Sequence, residues 1–107
     1  MHTDALVVLT TLASEEEAVT LVRELLERRI VACGTVLAGG RSLYRWQGKI
    51  EDSAEVAVLF KTRGERASRL LARLQDLHSY DVPAAVVWPV LDALPAYAAW
   101  VTAETDG

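Results

Sequence analysis

Ser42-Leu-Tyr-Arg-Trp-Gln-Gly-Lys-Ile-Glu-Asp-Ser-Ala-Glu-Val-Ala-Val-Leu-Phe-Lys-Thr62 reads as the tip and return arm of one long β-hairpin. Gln47-Gly48 is the expected turn, because glycine accepts the positive φ that a tight hairpin needs. Tyr44 and Trp46 lead into the turn, and Ile50 leaves it. With the incoming arm starting near Val31, each arm has about 14 residues and spans roughly 45 Å at about 3.3 Å per residue. A compact chain of this size has a radius of gyration of only about 13 Å. Arms that do not bend sharply therefore reach past the domain and meet another chain.

The incoming arm begins with the small apolar run Val31 to Val36, which contains Cys33. Gly39-Gly40 interrupts it and predicts a bulge or bend. On the return arm Ala54, Val56, Val58 and Phe60 form the stronger apolar face, alternating with the mixed set Glu55, Ala57, Leu59 and Lys61. Upstream, Ala5 to Leu9 reads as a strand buried on both faces, followed by Thr10 and Thr11. Ser14 with Glu17 three residues on matches a capping box, and Glu15 to Glu17 suit the positive end of a helix dipole. Ala18, Leu21, Val22, Leu25, Leu26 and Ile30 make that helix's apolar stripe.

Downstream, Gly64 to His78 reads as a second helix, with Ala67, Leu70, Leu71, Leu74 and Leu77 inside and arginines 66, 69 and 73 outside. Val82 to Val90 is a fourth strand, which Pro83 and Pro89 confine to a sheet edge or shorten. Leu94 to Val101 forms a short last helix with Pro95 in its first turn, and Thr102 to Gly107 is expected to fray. The order β-α-β-β-α-β plus a helix is the split βαβ, or ferredoxin-like, arrangement. It is an α+β fold with an antiparallel sheet and two long helices on one face. The other face stays bare in a monomer, a second reason to expect association.

At 107 residues the chain suits one domain, 1–107, and its 51% hydrophobic content supports a core. A formal charge of -4 argues against a nucleic-acid partner. Residues 54 to 60 hold only Phe60 as an aromatic, which argues against an RNA-recognition sheet. One cysteine forbids both an intrachain disulfide and a Cys-x-x-Cys metal chaperone. Leu12-Ala13-Ser14 is too short, and lacks the arginine, for an acylphosphatase anion loop. No Ser/His/Asp or Cys/His catalytic set is spelled out, so no enzymatic activity is expected. With no signal-like start and no membrane-length apolar run, a soluble cytoplasmic protein is the expectation.

Thr10-Thr11, Ser14 to Ala18, Val31-Ala-Cys33, Ser42 to Lys49, Phe60-Lys-Thr62, His78 to Pro83 and Tyr97-Ala-Ala-Trp100 together resemble the CutA divalent-cation tolerance family. The resemblance covers nearly the whole chain in order, and Tyr-Arg-Trp-Gln-Gly-Lys is its most specific block. It implies a tight homotrimer whose hairpins add strands to neighbouring sheets. It also implies a link to tolerance of copper and other divalent cations, and a likeness in architecture to the trimeric PII signalling proteins. The alternative function is thus a PII-like module that binds a small molecule between subunits. The family's usual His-Pro-Tyr-Glu-x-Pro-Glu is here His78-Ser79-Tyr80-Asp81-Val82-Pro83-Ala84. Ser79 lacks the rigid ring, Asp81 is shorter than Glu, and Ala84 carries no carboxylate. Thr10 stands where some members have a cysteine.

Candidate site residues follow. His78 is the leading metal ligand, since imidazole suits copper and zinc, with Asp81 three residues on as a second donor. Cys33 joins only if its strand exposes it, and in an apolar strand it reads first as a small core residue. Two donors are too few for a closed site. No cofactor is required, and weakly bound copper or another divalent cation is the expected ligand. Tyr44, Trp46 and Tyr80 are assigned to an interface or cleft. Lys61 is expected to meet Glu55 or Asp81 across a subunit boundary, or to be solvated.

Overall fold

The computed structural model describes residues 4–106. Ala5–Leu12 (β1) is central because its side chains serve two layers. Val8, Thr10 and Leu12 are buried under the helices, while Val7, Leu9 and Thr11 point to the other face and are half-covered. The strand runs three residues past the expected Leu9, since Thr10 and Thr11 continue both ladders or the longer of them. β1 pairs antiparallel with Lys49–Arg63 (β3) and Ala85–Pro89 (β4), and β3 pairs with Cys33–Trp46 (β2). The order β2-β3-β1-β4 is the ferredoxin-like sheet, with β2 and β4 at its edges.

Glu15–Glu27 (α1) starts as the capping box predicts: Ser14 is extended and its Oγ accepts from the Glu17 N–H at 3.1 Å. Its buried stripe is narrower than expected. Ala18, Leu21, Val22 and Leu25 are inside, whereas Leu26 is 40% exposed, rotated off the core face. The second helix is also shorter. Gly64–Arg66 forms a 3-10 turn, Ala67–Leu77 (α2) follows, and His78 is its extended C-cap. Leu70 and Leu74 are buried, but Leu71 and Leu77 are exposed. Both helices close over one face of the sheet around Val8, Leu12, Val58 and Phe60.

The arginines 66 and 73 are not simply outside. Arg73 ties α2 to α1 through Glu24 at 3.0 Å. Arg66 donates to the Thr105 carbonyl at 2.7 Å, and Arg63 to the same oxygen at 3.2 Å. That clamp corrects the expected frayed end. Pro95–Glu104 (α3) continues past Val101, and Thr105 is fully buried, its hydroxyl donating to the Val101 carbonyl at 2.8 Å. Gly107, also assigned to that tail, lies outside the described residues.

The hairpin has arms of 14 and 15 residues joined at Gln47-Gly48, both with positive φ. The expected bulge is present as a register shift between Leu37 and Gly40. A side chain at Gly40 would meet the Glu55 carbonyl oxygen at 2.6 Å, so only glycine lets the strands approach here. β2 begins at Cys33, not Val31, because Val31 and Ala32 turn into the core. β1 supports β3 only from Val56 onward. Beyond that point the hairpin is a two-stranded ribbon, braced by the Arg41–Asp52 fork at 2.6 and 2.8 Å. This overhang stretches the described chain to 44 × 26 × 23 Å with a radius of gyration of 14.4 Å.

The loss of support also changes which of these residues is covered. Ala54, expected in the core, is exposed because no helix reaches it. Glu55, expected on the mixed face, is 7% exposed.

The sheet face away from α1 and α2 is apolar: register places Leu9, Leu59, Val86, Trp88 and Leu37 on it. Val86, Trp88 and Leu37 are each between 45% and 49% exposed.

Candidate functional site

β4 starts at Ala85 instead of Val82, because the segment between α2 and β4 is spent on holding an aromatic side chain. His78, at the end of α2, is 8% exposed. Its Nε2 lies 2.7 Å from the Thr11 carbonyl oxygen, and its Nδ1 lies 3.0 Å from the Tyr80 backbone nitrogen. A carbonyl only accepts and an N–H only donates, so the partners fix the tautomer: Nε2–H donates and Nδ1 accepts. The Thr10 hydroxyl donates to the Ala84 carbonyl at 2.7 Å and pins the other end of the segment.

Tyr80 is the residue so positioned. Its ring sits 4.6 Å from the imidazole at 50°, and its hydroxyl donates to Glu55 Oε2 at 2.7 Å. Burial, then the Glu55 hydrogen bond and charge, hold the Tyr80 hydroxyl's pKa well above the usual phenol value. Glu55 and Tyr80 form part of a cleft of about 710 Å³ at the foot of the ribbon, with Tyr44, Trp46, Ser42, Ser53, Asp81 and Thr11 also on its walls. A smaller hollow of about 470 Å³ runs along α1 between Ser14, Glu17, Glu24 and Leu77, and no candidate site residue lines it.

The structure therefore brings Tyr44, Trp46, Tyr80 and Asp81 to one cleft and leaves three other candidates elsewhere. His78 stands behind Tyr80, and both its nitrogens are spent on protein partners. Its geometry gives no lone pair to a metal without breaking one of those bonds. Cys33 is not the core residue its apolar neighbours promised. It lies on the open sheet face, partly exposed, with its sulfur 3.7 Å from the Tyr97 hydroxyl on α3. Within the chain Lys61 meets neither Glu55 nor Asp81; it donates to Thr35 Oγ1 at 2.6 Å and to the Leu59 carbonyl at 3.2 Å. Among the described residues no three His, Cys, Asp or Glu side chains converge on one point, so within one chain they do not fit a closed metal site.

Glu55 is the site residue that alternation missed. Its burial comes with Tyr80, 25 positions away, and no local signal in the strand marks that contact.

The tyrosines give a direct check of this packing. Burial, then the Cys33 contact, push Tyr97 up to about 12. Both Tyr80 and Tyr97 thus have folded-state pKa values above the unfolded value of about 10. Their contribution to stability is complete below pH about 10 and is lost as pH rises through the folded values. Alkaline titration should show a delayed part of the tyrosinate absorbance, accompanied by loss of stability above pH about 10. Tyr80→Phe should remove one delayed step. Appearance of the whole signal near pH 10 would contradict the buried hydroxyls.

No helix among the described residues is long and apolar enough to cross a membrane. A family model described as CutA1 divalent ion tolerance protein matches residues 6–104. The divalent-cation tolerance protein CutA of Pectobacterium atrosepticum is 41% identical over 101 residues, covering 94% of this chain and 92% of the relative. The crystal structure of CutA from Xylella fastidiosa superposes with a TM-score of 0.94 at 36% identity, over 97% of this chain and all of that one. A periplasmic divalent cation tolerance protein CutA from Archaeoglobus fulgidus gives 0.92 at 28% identity, over 95% and 99% of the two chains. Sequence and fold agree, and the chain belongs to the CutA1 divalent ion tolerance protein family.

Proposed function

We propose that this protein works as a cytoplasmic, non-enzymatic homotrimer that takes part in the metal-ion response. The observation that carries the reading is the pairing of an overhanging ribbon with an open apolar sheet face. Three copies related by cyclic symmetry let each ribbon cover a neighbour's sheet edge, so that every copy gives and receives one strand pairing. The interface expected for such a permanent assembly exceeds about 2,000 Å². Light scattering and native mass measurement at micromolar concentration should give three subunits. A stable, fully folded monomer would sink the reading.

The relatives' names speak of divalent-cation tolerance, and divalent-cation binding is proposed here as weak and without a catalytic metal. Asp81 on the cleft wall and the partly exposed Cys33 are the donors left after His78 is committed to Thr11 and Tyr80. A second reading, a PII-like module that takes a small molecule between subunits, is favoured by one observation: the cleft's volume falls in the range of about 300–1,000 Å³ typical of small-molecule sites.

A further inference from the structure

The cleft at the foot of the ribbon has a chemical preference of its own. Its aromatic walls are Tyr44, Trp46 and Tyr80, its acidic groups are Glu55 and Asp81, and among the described residues no lysine or arginine lines it. Glu55 is 7% exposed, and only one of its carboxylate oxygens has a protein partner. Oε2 accepts from Tyr80, while Oε1 receives no hydrogen bond from any described residue. Oε1 faces the cleft and is an acceptor open to a donor or a cation that enters it. Aromatic faces add to that preference, because their quadrupoles attract positive charge. A bare metal ion suits the site poorly, since no third donor converges there and about 710 Å³ is room for an organic molecule.

We propose that this cleft binds a small organic cation carrying N–H groups, an alkylammonium or alkylguanidinium. Glu55 Oε1 accepts from its N–H, and the rings of Tyr44 and Trp46 cover its alkyl part and charge. Tyr80 holds the carboxylate in place through Oε2 and leaves Oε1 for the ligand. The inference rests on reading the cleft as a small-molecule site.

The test compares four probes of matched length on the intact protein, by ligand-observed NMR and tryptophan fluorescence: n-butylammonium, n-butylguanidinium, n-butanol and n-butyrate. The two cations should bind at least tenfold more tightly than the neutral and anionic probes. Glu55→Gln, which keeps an acceptor for Tyr80, should erase that advantage, and Asp81→Asn at the cleft wall should reduce it. Binding of all four probes with equal affinity would overturn the cation preference and leave the small-molecule reading standing. Binding of none would overturn both. An unchanged cation advantage in Glu55→Gln would remove Glu55 from recognition and defeat the proposal. A Glu55→Gln variant that loses subunits while the wild type binds no cation would show that a neighbouring chain occupies the cleft, again defeating it.

Discussion

Phe60→Ala should lower the free energy of unfolding by about 3–5 kcal/mol, the largest effect expected of any single substitution in this chain. Phe60 is the largest fully buried side chain. It lies on β3 between β1 and β2, opposite Val8 on one side and Gly34 on the other. The missing ring costs its transfer free energy, and the neighbours cannot close the gap because both flanking strands are fixed by their ladders. Chemical denaturation at fixed protein concentration measures the loss. A change under about 1 kcal/mol would mean that the sheet and α1 collapse onto the cavity, and that the core is looser than its burial indicates.

His78→Ala should cost about 2–4 kcal/mol, because it strands two part-buried polar groups, the Thr11 carbonyl and the Tyr80 N–H, each in the lower part of the range of about 1–3 kcal/mol. The same substitution should leave copper affinity unchanged, since neither ring nitrogen is free to coordinate. His78→Gln offers an amide donor and a carbonyl acceptor on one side chain and should recover part of the stability. Denaturation midpoints and a copper titration on the same three proteins separate the two roles. Weaker copper binding in His78→Ala would restore the imidazole as a ligand. An unchanged midpoint would show that water replaces the ring at no cost.

His78 also marks the limit of what the sequence made legible. Element order, the turn at Gln47-Gly48, the bulge at Gly39-Gly40 and the edge position of β4 followed from local chemistry: period, caps, and the backbone demands of glycine and proline. The family block at the hairpin tip was equally readable. Tertiary partners were not. A histidine after a helix has the same local signature whether it binds metal or bridges a carbonyl to an N–H, and the difference lies in Thr11, 67 positions away. Glu55 was assigned by alternation to a partly covered face, but the end of β1 opposite Val56 and the arrival of Tyr80 decide its burial. Thr105 looked like tail until Arg63 and Arg66 reached its carbonyl. Trp46 illustrates the same point from the other side. It is 41% exposed within the chain, so its full packing value depends on a neighbouring copy.

The point where β1 stops supporting β3 divides one continuous strand into two mechanical regimes. From Ala57 to Lys61 the strand is paired on both sides, and its amides open only with the sheet. From Lys49 to Glu55 it belongs to a ribbon of two strands, a unit that is marginally stable alone in water. Local opening is therefore cheapest in the ribbon and rises steeply at Val56, a gradient that amide exchange resolves residue by residue. Glu55 sits on the last soft position before the step. A ligand held there, or a neighbour laid along the ribbon, stiffens the flexible segment from its root to Tyr44 and Trp46, so occupancy of the cleft and order of the hairpin tip become one coupled equilibrium.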